Sequence, residues 1–375
     1  MIIPALFFTM TFNQNQKNII NRVSRLSEIN LFLLAIFSVL LVGFILRPMK
    51  DVMVPIIVAG FLHILFSPII VFLKRKKVPN FLATALTFIL LFVILQTVGI
   101  IIYTSFGAFM NQLPEYGSKI SLTYKQLLNQ FPFFSNIVKH SFLSKFDETN
   151  SLSQMITMLF NSIIGFGSRF FLILIIFIFL QMSEGSFTKK INIAYHFTYS
   201  WNNVIRGIKQ QVFSYLLTKS LISFFTGLGA YIILVIYGVD FAIIWGVLTF
   251  ILNFIPNIGS IIATLLPAIQ TLVQFGDLMI PFWILMTLTF LQMIMGNILD
   301  PYLTGESLDM SPVTVLISLI FWGWLWGIQG MFIGIPITAI IKIICKNVPS
   351  LQFIDILMSN KITEIETPSP PSTDL

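Results

Sequence analysis

The chain has 375 residues, of which 56% are hydrophobic and only 10% charged, and its mean hydropathy is +0.91. Soluble domains carry about 25% charged residues, and a fold of this length in water keeps too much exposed surface to hide so many apolar side chains, so a soluble globular protein is excluded. The net charge of +7 sits in short clusters beside apolar runs, such as Lys74, Arg75, Lys76 and Lys77, a pattern of membrane faces and not of nucleic-acid binding.

Residues 1–30 read as a cytoplasmic segment carrying Lys17, Arg22 and Arg25. Their apolar start lacks a basic n-region and a small-residue cleavage site, so no cleavable signal is expected. The first span covers 31–46. At about 1.5 Å per residue it reaches about 24 Å, and snorkelling Arg47 and Lys50 make up the rest of a ~30 Å core. A second span, 52–73, contains Pro55 and Pro68; a third, 81–103, has no charge. Over 105–154 the apolar residues Phe109, Leu113, Ile120, Leu127 and Phe131 are spaced as on an amphipathic helix, which predicts an extramembrane, interfacial insertion.

The fourth span is 156–180. An interfacial amphipathic helix is expected over 183–211, where Lys189, Lys190, Trp201, Arg206 and Lys209 alternate with apolar residues. Span five, 215–237, has Lys219 near its start. Two later apolar blocks, 241–275 and 312–344, are too long for one helix each and are interrupted by Asn, Gly and Pro. Between them lies 279–299, closing on Asn297, Asp300 and Pro301. The polar tail, 347–375, is expected to be disordered. The fold class is therefore all-α: a polytopic transmembrane domain over 31–346 with about seven or eight membrane segments, two of them broken or re-entrant, plus interfacial amphipathic helices.

Basic residues place the N-terminus, the loop at 74–77, the 183–211 helix and the Lys342/Lys346 end in the cytoplasm. The loop holding Asp300, Glu306 and Asp309 has no Lys or Arg and is expected outside. Both placements hold only if each broken block crosses the membrane a net odd number of times.

No phosphate-binding glycine loop and no HExxH helix is present, and a lone cysteine, Cys345, permits no internal disulfide. Neither enzymatic chemistry, a cofactor nor a metal site is expected. His63 lies in span two, where a neutral ring bonded to a neighbouring carbonyl is the simplest reading. The stronger signal is the two breaks. Helix-breaking sequence persists in hydrocarbon only where protein or a water-filled cavity receives the freed backbone groups, and transporters build substrate sites from such interruptions. Asn253, Pro256, Asn257 and Gly259 mark the first break, and Gln329, Gly330 and Pro336 the second. Asn297, Asp300 and Pro301 form a third polar group. The alternative is that glycine and proline only permit close packing or kinks, and that Asp300 ends a helix at the water boundary.

At these residues the chain resembles the autoinducer-2 exporter family. The likeness is carried by FIPNIGSIIATLLPAI (254–269), by the 54–80 region, and above all by the ending from Gly296, where GESL precedes a proline-led helix and GIQGMFIGIP closes the block. The resemblance implies an all-helical permease of the bacterial inner membrane that assembles as a homo-oligomer. It also implies export of autoinducer-2, or in other members sodium/proton exchange. Relatives often carry an acidic residue where Met295 stands and a second proline at Ser260, which weakens the exchanger reading. The expected function is passage of a small polar solute, autoinducer-2 being the named candidate. The alternative is monovalent cation/proton antiport. The expected partners are the lipid bilayer, that solute or cation, and further copies of the chain.

Overall fold

A computed structural model describes residues 40–130, 169–195, 199–304 and 309–360, with a few helical positions between 30 and 38. Two compact units are formed, Met1–Met53 and Val54–Leu375. In the first, residues 40–46 are helical, and the helix gives way to a turn at Arg47 closed by Met49 N donating to Leu46 O at 3.1 Å. The basic residues thus stand where span one was expected to end.

The helices that follow are α1 (Lys50–Arg75), α2 (Asn80–Gln130), α3 (Phe170–Tyr195), α4 (Tyr199–Ile236), α5 (Ala242–Leu252), α6 (Ile258–Phe275) and α7 (Met279–Gln292). A π-helical segment, Met293–Leu299, leads into α8 (Asp300–Thr304), followed by α9 (Pro312–Trp326), α10 (Ile328–Asn347) and α11 (Gln352–Met358). Among the described residues the only β pairing is an isolated bridge between Met310 and Ser359. Among the described residues six helical stretches are long and apolar enough to cross a membrane: Lys50–Arg75, Asn80–Ser105, Ile205–Ile236, Ile258–Phe275, Met279–Leu299 and Ile328–Asn347. Phe170–Ser183, Ala242–Leu252 and Pro312–Trp326 are shorter apolar helices. Large side chains such as Phe81, Phe179, Ile236 and Phe290 lie exposed along them, a surface that suits lipid and not water. The chain is a polytopic helical membrane protein.

Three boundaries differ from those read in the sequence. The third span does not stop at 103: α2 runs on to Gln130, so the amphipathic stretch from 105 begins as a continuation of that helix, while 131–154 lies outside the described residues. The stretch at 183–211 is shared by two helices, ending α3 and opening α4. The tail is folded well past 347. There α11 follows a 3₁₀ turn at Pro349–Leu351, Ser311 N donates to Met358 O at 2.8 Å, and Asn360 N donates to Asp309 O at 3.3 Å. Composition could not show this, because the segment is ordered by bonds to residues near 310.

Both broken blocks are hairpins that return to their starting side. In the first, Gln274 of α6 accepts from Asp240 N at 3.0 Å and donates to Gly238 O at 2.9 Å. Gln270 donates to Asp240 O at 3.0 Å and accepts from Trp245 Nε1. The far part of α6 is thereby held at the level of the α4–α5 turn. With 11 residues, α5 reaches about 16 Å, so the break lies about half a hydrocarbon core from that turn. In the second hairpin α9 lies along α10. Ser318 and Thr338 hydroxyls are 2.7 Å apart, and Trp322 Nε1 donates to Thr338 Oγ1 at 2.9 Å. At its open end Lys342 reaches Asp309 at 3.0 Å and Asp355 at 3.5 Å. The orientation scheme needed an odd number of crossings in each block. It is corrected here: the Asp309 loop and the Lys342 end lie on one side, because Asp309 and Lys342 are in contact.

Candidate functional site

Tyr215, Lys219, Ser223 and Thr226 follow one another along α4 at spacings of four, four and three, which places them on one helix face. All four are buried, Lys219 to 4% exposure and both Ser223 and Thr226 to 0%. They stand inside the apolar stretch Ile205–Ile236, with Lys219 near its middle. A polar stripe at that depth needs partners, because an unpaired lysine at a helix centre costs about 2.5–3.5 kcal/mol on insertion scales.

The partners come from the two interruptions nearest α4. Lys219 Nζ lies 2.5 Å from Asp300 Oδ2, with side-chain exposures of 5% and 23%. One turn along, Asn253 Nδ2 donates to Ser223 Oγ at 3.0 Å, and both groups are buried. Thr226 satisfies itself by donating to Ile222 O at 2.7 Å. Asp300 is delivered by the π-helical segment, whose wider turns end with Asp300 N donating to Met295 O. Such segments shift which face the following residues occupy and are frequent at functional sites. Asn253 is delivered as the C-cap of α5, just after Leu252 and at the mouth of the break.

The break is a tight turn. Ile258 N donates to Pro256 O at 2.7 Å across Asn257, whose φ of 61° and ψ of −58° are those of the rarer, strained γ-turn. Gly259 follows where the backbones of α5 and α6 nearly touch, since a Cβ there would stand 1.8 Å from Leu252 O. No larger residue fits without moving one helix. At the second break the chain reverses at Gly327 alone, with φ 68° and ψ −147°, a region open essentially only to glycine.

Of the residues singled out in the sequence, the structure brings Asn253 and Asp300 onto the α4 stripe. Pro256, Asn257 and Gly259 shape the turn beneath Asn253, and Asn257 itself is exposed. Asn297 is also exposed, within the π-helical segment, and Pro301 follows Asp300 in α8. Gln329 accepts from Arg169 Nη1 at 2.9 Å. Gly330 and Pro336 are buried inside continuous helix, with Gly330 pressed on Trp322 O, which a Cβ would approach to 1.9 Å. These two pack the hairpin and do not break it. His63 binds a side-chain carbonyl, with Nδ1 2.6 Å from Gln181 Oε1. Sequence reasoning noted Lys219 but passed over it as a site, together with Tyr215 and Ser223. The available signal was the period of the polar residues within span five, which a count of apolar residues averages away.

Buried polar groups paired between a spanning helix and interrupted ones, in a bundle whose surface is largely apolar, are the arrangement that membrane transporters use. Residues 33–350 match the AI-2E family transporter model, and the chain belongs to that family. It is 34% identical over 307 residues to a protein of Borreliella burgdorferi named for transport alone, covering 81% of this chain and 83% of the relative. It is 30% identical over 325 residues to a Haemophilus influenzae protein named in the same way, covering 85% and 93%. Against the AI-2 transport protein TqsA of Escherichia coli the identity is 30% over 332 residues, covering 88% and 94%.

Proposed function

We propose that this transporter passes a small, hydroxylated, uncharged solute across the bacterial inner membrane along the polar face of α4, and that autoinducer-2 is its substrate. The observation that carries the reading is the line of buried Lys219, Ser223 and Asn253 with the half-buried Asp300. It offers hydroxyl and amide groups that both donate and accept, beside an ion pair that is already neutralised. A hydroxylated solute can exchange hydrogen bonds with such a line without bringing a counter-charge. The name of the Escherichia coli relative supports the choice of substrate. With Asp300 held by the Lys219 ammonium, the line offers a cation no net negative charge, so solute passage is preferred to cation/proton antiport. Assembly as a homo-oligomer belongs to the same reading.

The test is efflux of labelled autoinducer-2 from proteoliposomes holding the full chain. Asn253→Ala removes one hydrogen bond of about 1 kcal/mol, and slows efflux about fivefold at equal insertion if that bond is made to the passing solute. Efflux no faster than from protein-free vesicles rejects the substrate. Unchanged efflux in Asn253→Ala rejects the pathway.

A further inference from the structure

The core faces of three helices change character at one level. Ala230 and Leu234 of α4, Trp245 of α5, and Ile284 and Leu288 of α7 belong to one buried apolar cluster. One turn further on, toward the Lys219–Asp300 pair, each face turns polar. Thr226 precedes Ala230 by four residues, Thr249 follows Trp245 by four, and Gln292 follows Leu288 by four. That spacing keeps each of them on the face its neighbour presents to the cluster. Close approaches fix the register: a Cβ on Gly227 would stand 2.9 Å from Phe250 Cβ, and one on Gly229 3.0 Å from Leu291 Cδ1. Polar side chains from three helices therefore stand at the end of the α4 stripe, where the apolar cluster closes it.

Their hydrogen bonding is incomplete. Thr249 is 1% exposed and Gln292 9%, yet Thr249 Oγ1 and Gln292 Oε1 have no hydrogen-bond partner among the described residues. Thr226 donates to Ile222 O, and its oxygen can still accept. Buried polar atoms are nearly always bonded, and an orphaned one is less stable than an apolar group of the same shape. Valine and methionine would therefore pack these two positions better. The glutamine oxygen needs a donor, and the threonine hydroxyl both donates and accepts. A hydroxyl answers both needs, whereas a cation cannot accept and a carboxylate cannot donate. We infer that Thr249 and Gln292 form a binding subsite for a hydroxyl group of the solute, with Thr226 as a further acceptor and the apolar cluster as its closed end. The inference rests on the reading that a solute follows α4, and it names the two residues that select for a hydroxyl.

The experiment uses the full chain in proteoliposomes. In a Cys345→Ser background, Thr249→Cys should be modified by a small neutral methanethiosulfonate, read by intact mass. A site that receives a polar solute admits water, and a thiol reacts as its thiolate. Ala339→Cys, at an equally buried position in α10, should react at least about tenfold more slowly. An unreactive Thr249→Cys, or equal reaction of both, overturns the subsite whatever solute the protein carries. Thr249→Val and Gln292→Met should keep or raise the thermal midpoint, since each removes an orphaned polar atom. Each should slow efflux of labelled autoinducer-2 about fivefold, the worth of one hydrogen bond. Thr249→Ser keeps the hydroxyl and should stay within about twofold of the parent. A lower midpoint in Thr249→Val means that its hydroxyl is bonded within the protein, and the inference is then wrong; undiminished efflux in both apolar variants refutes it equally. If the parent passes no autoinducer-2, the choice of substrate fails by itself, and the cysteine and midpoint results still decide the subsite.

Discussion

Asp300→Asn removes the acid paired with Lys219 and leaves an ammonium with 5% side-chain exposure near the middle of an apolar helix. A lone buried charge left by deleting its partner costs about 3–5 kcal/mol, and a lysine at a helix centre about 2.5–3.5; a loss of about 3 kcal/mol is expected. The converse change is milder. Lys219→Met leaves Asp300, whose side chain keeps 23% exposure and can turn to water, so about 1 kcal/mol is expected. Removing both charges leaves a neutral pair of similar volume, and the double variant should return to within about 1 kcal/mol of the parent. The two single losses would sum to about 4 kcal/mol, so the pair is coupled by about 3. Unfolding of the purified protein in mild detergent, by heat or added SDS, measures all three variants. The reasoning fails if Asp300→Asn costs no more than Lys219→Met, or if the double variant loses the sum of the two.

Gly259→Ala should cost at least about 1–3 kcal/mol through overpacking, read as a lower melting midpoint and less monodisperse protein, because its Cβ would collide with Leu252 O. Gly296→Ala, with nothing within 4 Å of its Cβ, is the matched control and should behave as the parent. Gly327→Ala should cost about 1–3 kcal/mol for a different reason, the forced backbone at φ 68°; a variant of parental stability would show that the reversal lies elsewhere. In a Cys345→Ser background, Asp309→Cys and Asn347→Cys should react with an impermeant maleimide from the same face of the membrane. Labelling from opposite faces would refute the hairpin.

The helices and the first break were legible because hydropathy and the sequence NFIPNIGS report directly on burial and on the end of a helix. The return of each block was not. Length alone says that 241–275 exceeds one span, but the direction of α6 is set by Gln270 and Gln274 bonding to the turn at Gly238 and Asp240, and that pairing has no local signature. The glycines of 327–336 were legible as a group but not one by one. Gly327 is needed for its positive φ, whereas Gly330 and Gly334 are needed for closeness to Trp322, and composition does not separate these requirements. Lys219 was visible in the sequence. Its importance came from a partner 81 residues away, brought within reach by a π-helical segment that no propensity announces.

The contact of Lys342 with Asp309 and Asp355 has a consequence for the order in which the protein matures. Asp309 is synthesised before α9 and α10, and so can meet Lys342 as soon as the hairpin closes. Asp355 and the Met358 carbonyl that holds Ser311 follow α10 in the chain and leave the ribosome after it. The helices of the second hairpin therefore emerge before the segment that clasps them. A chain stopped at residue 348 would carry every apolar helix described here and still lack its last fastening.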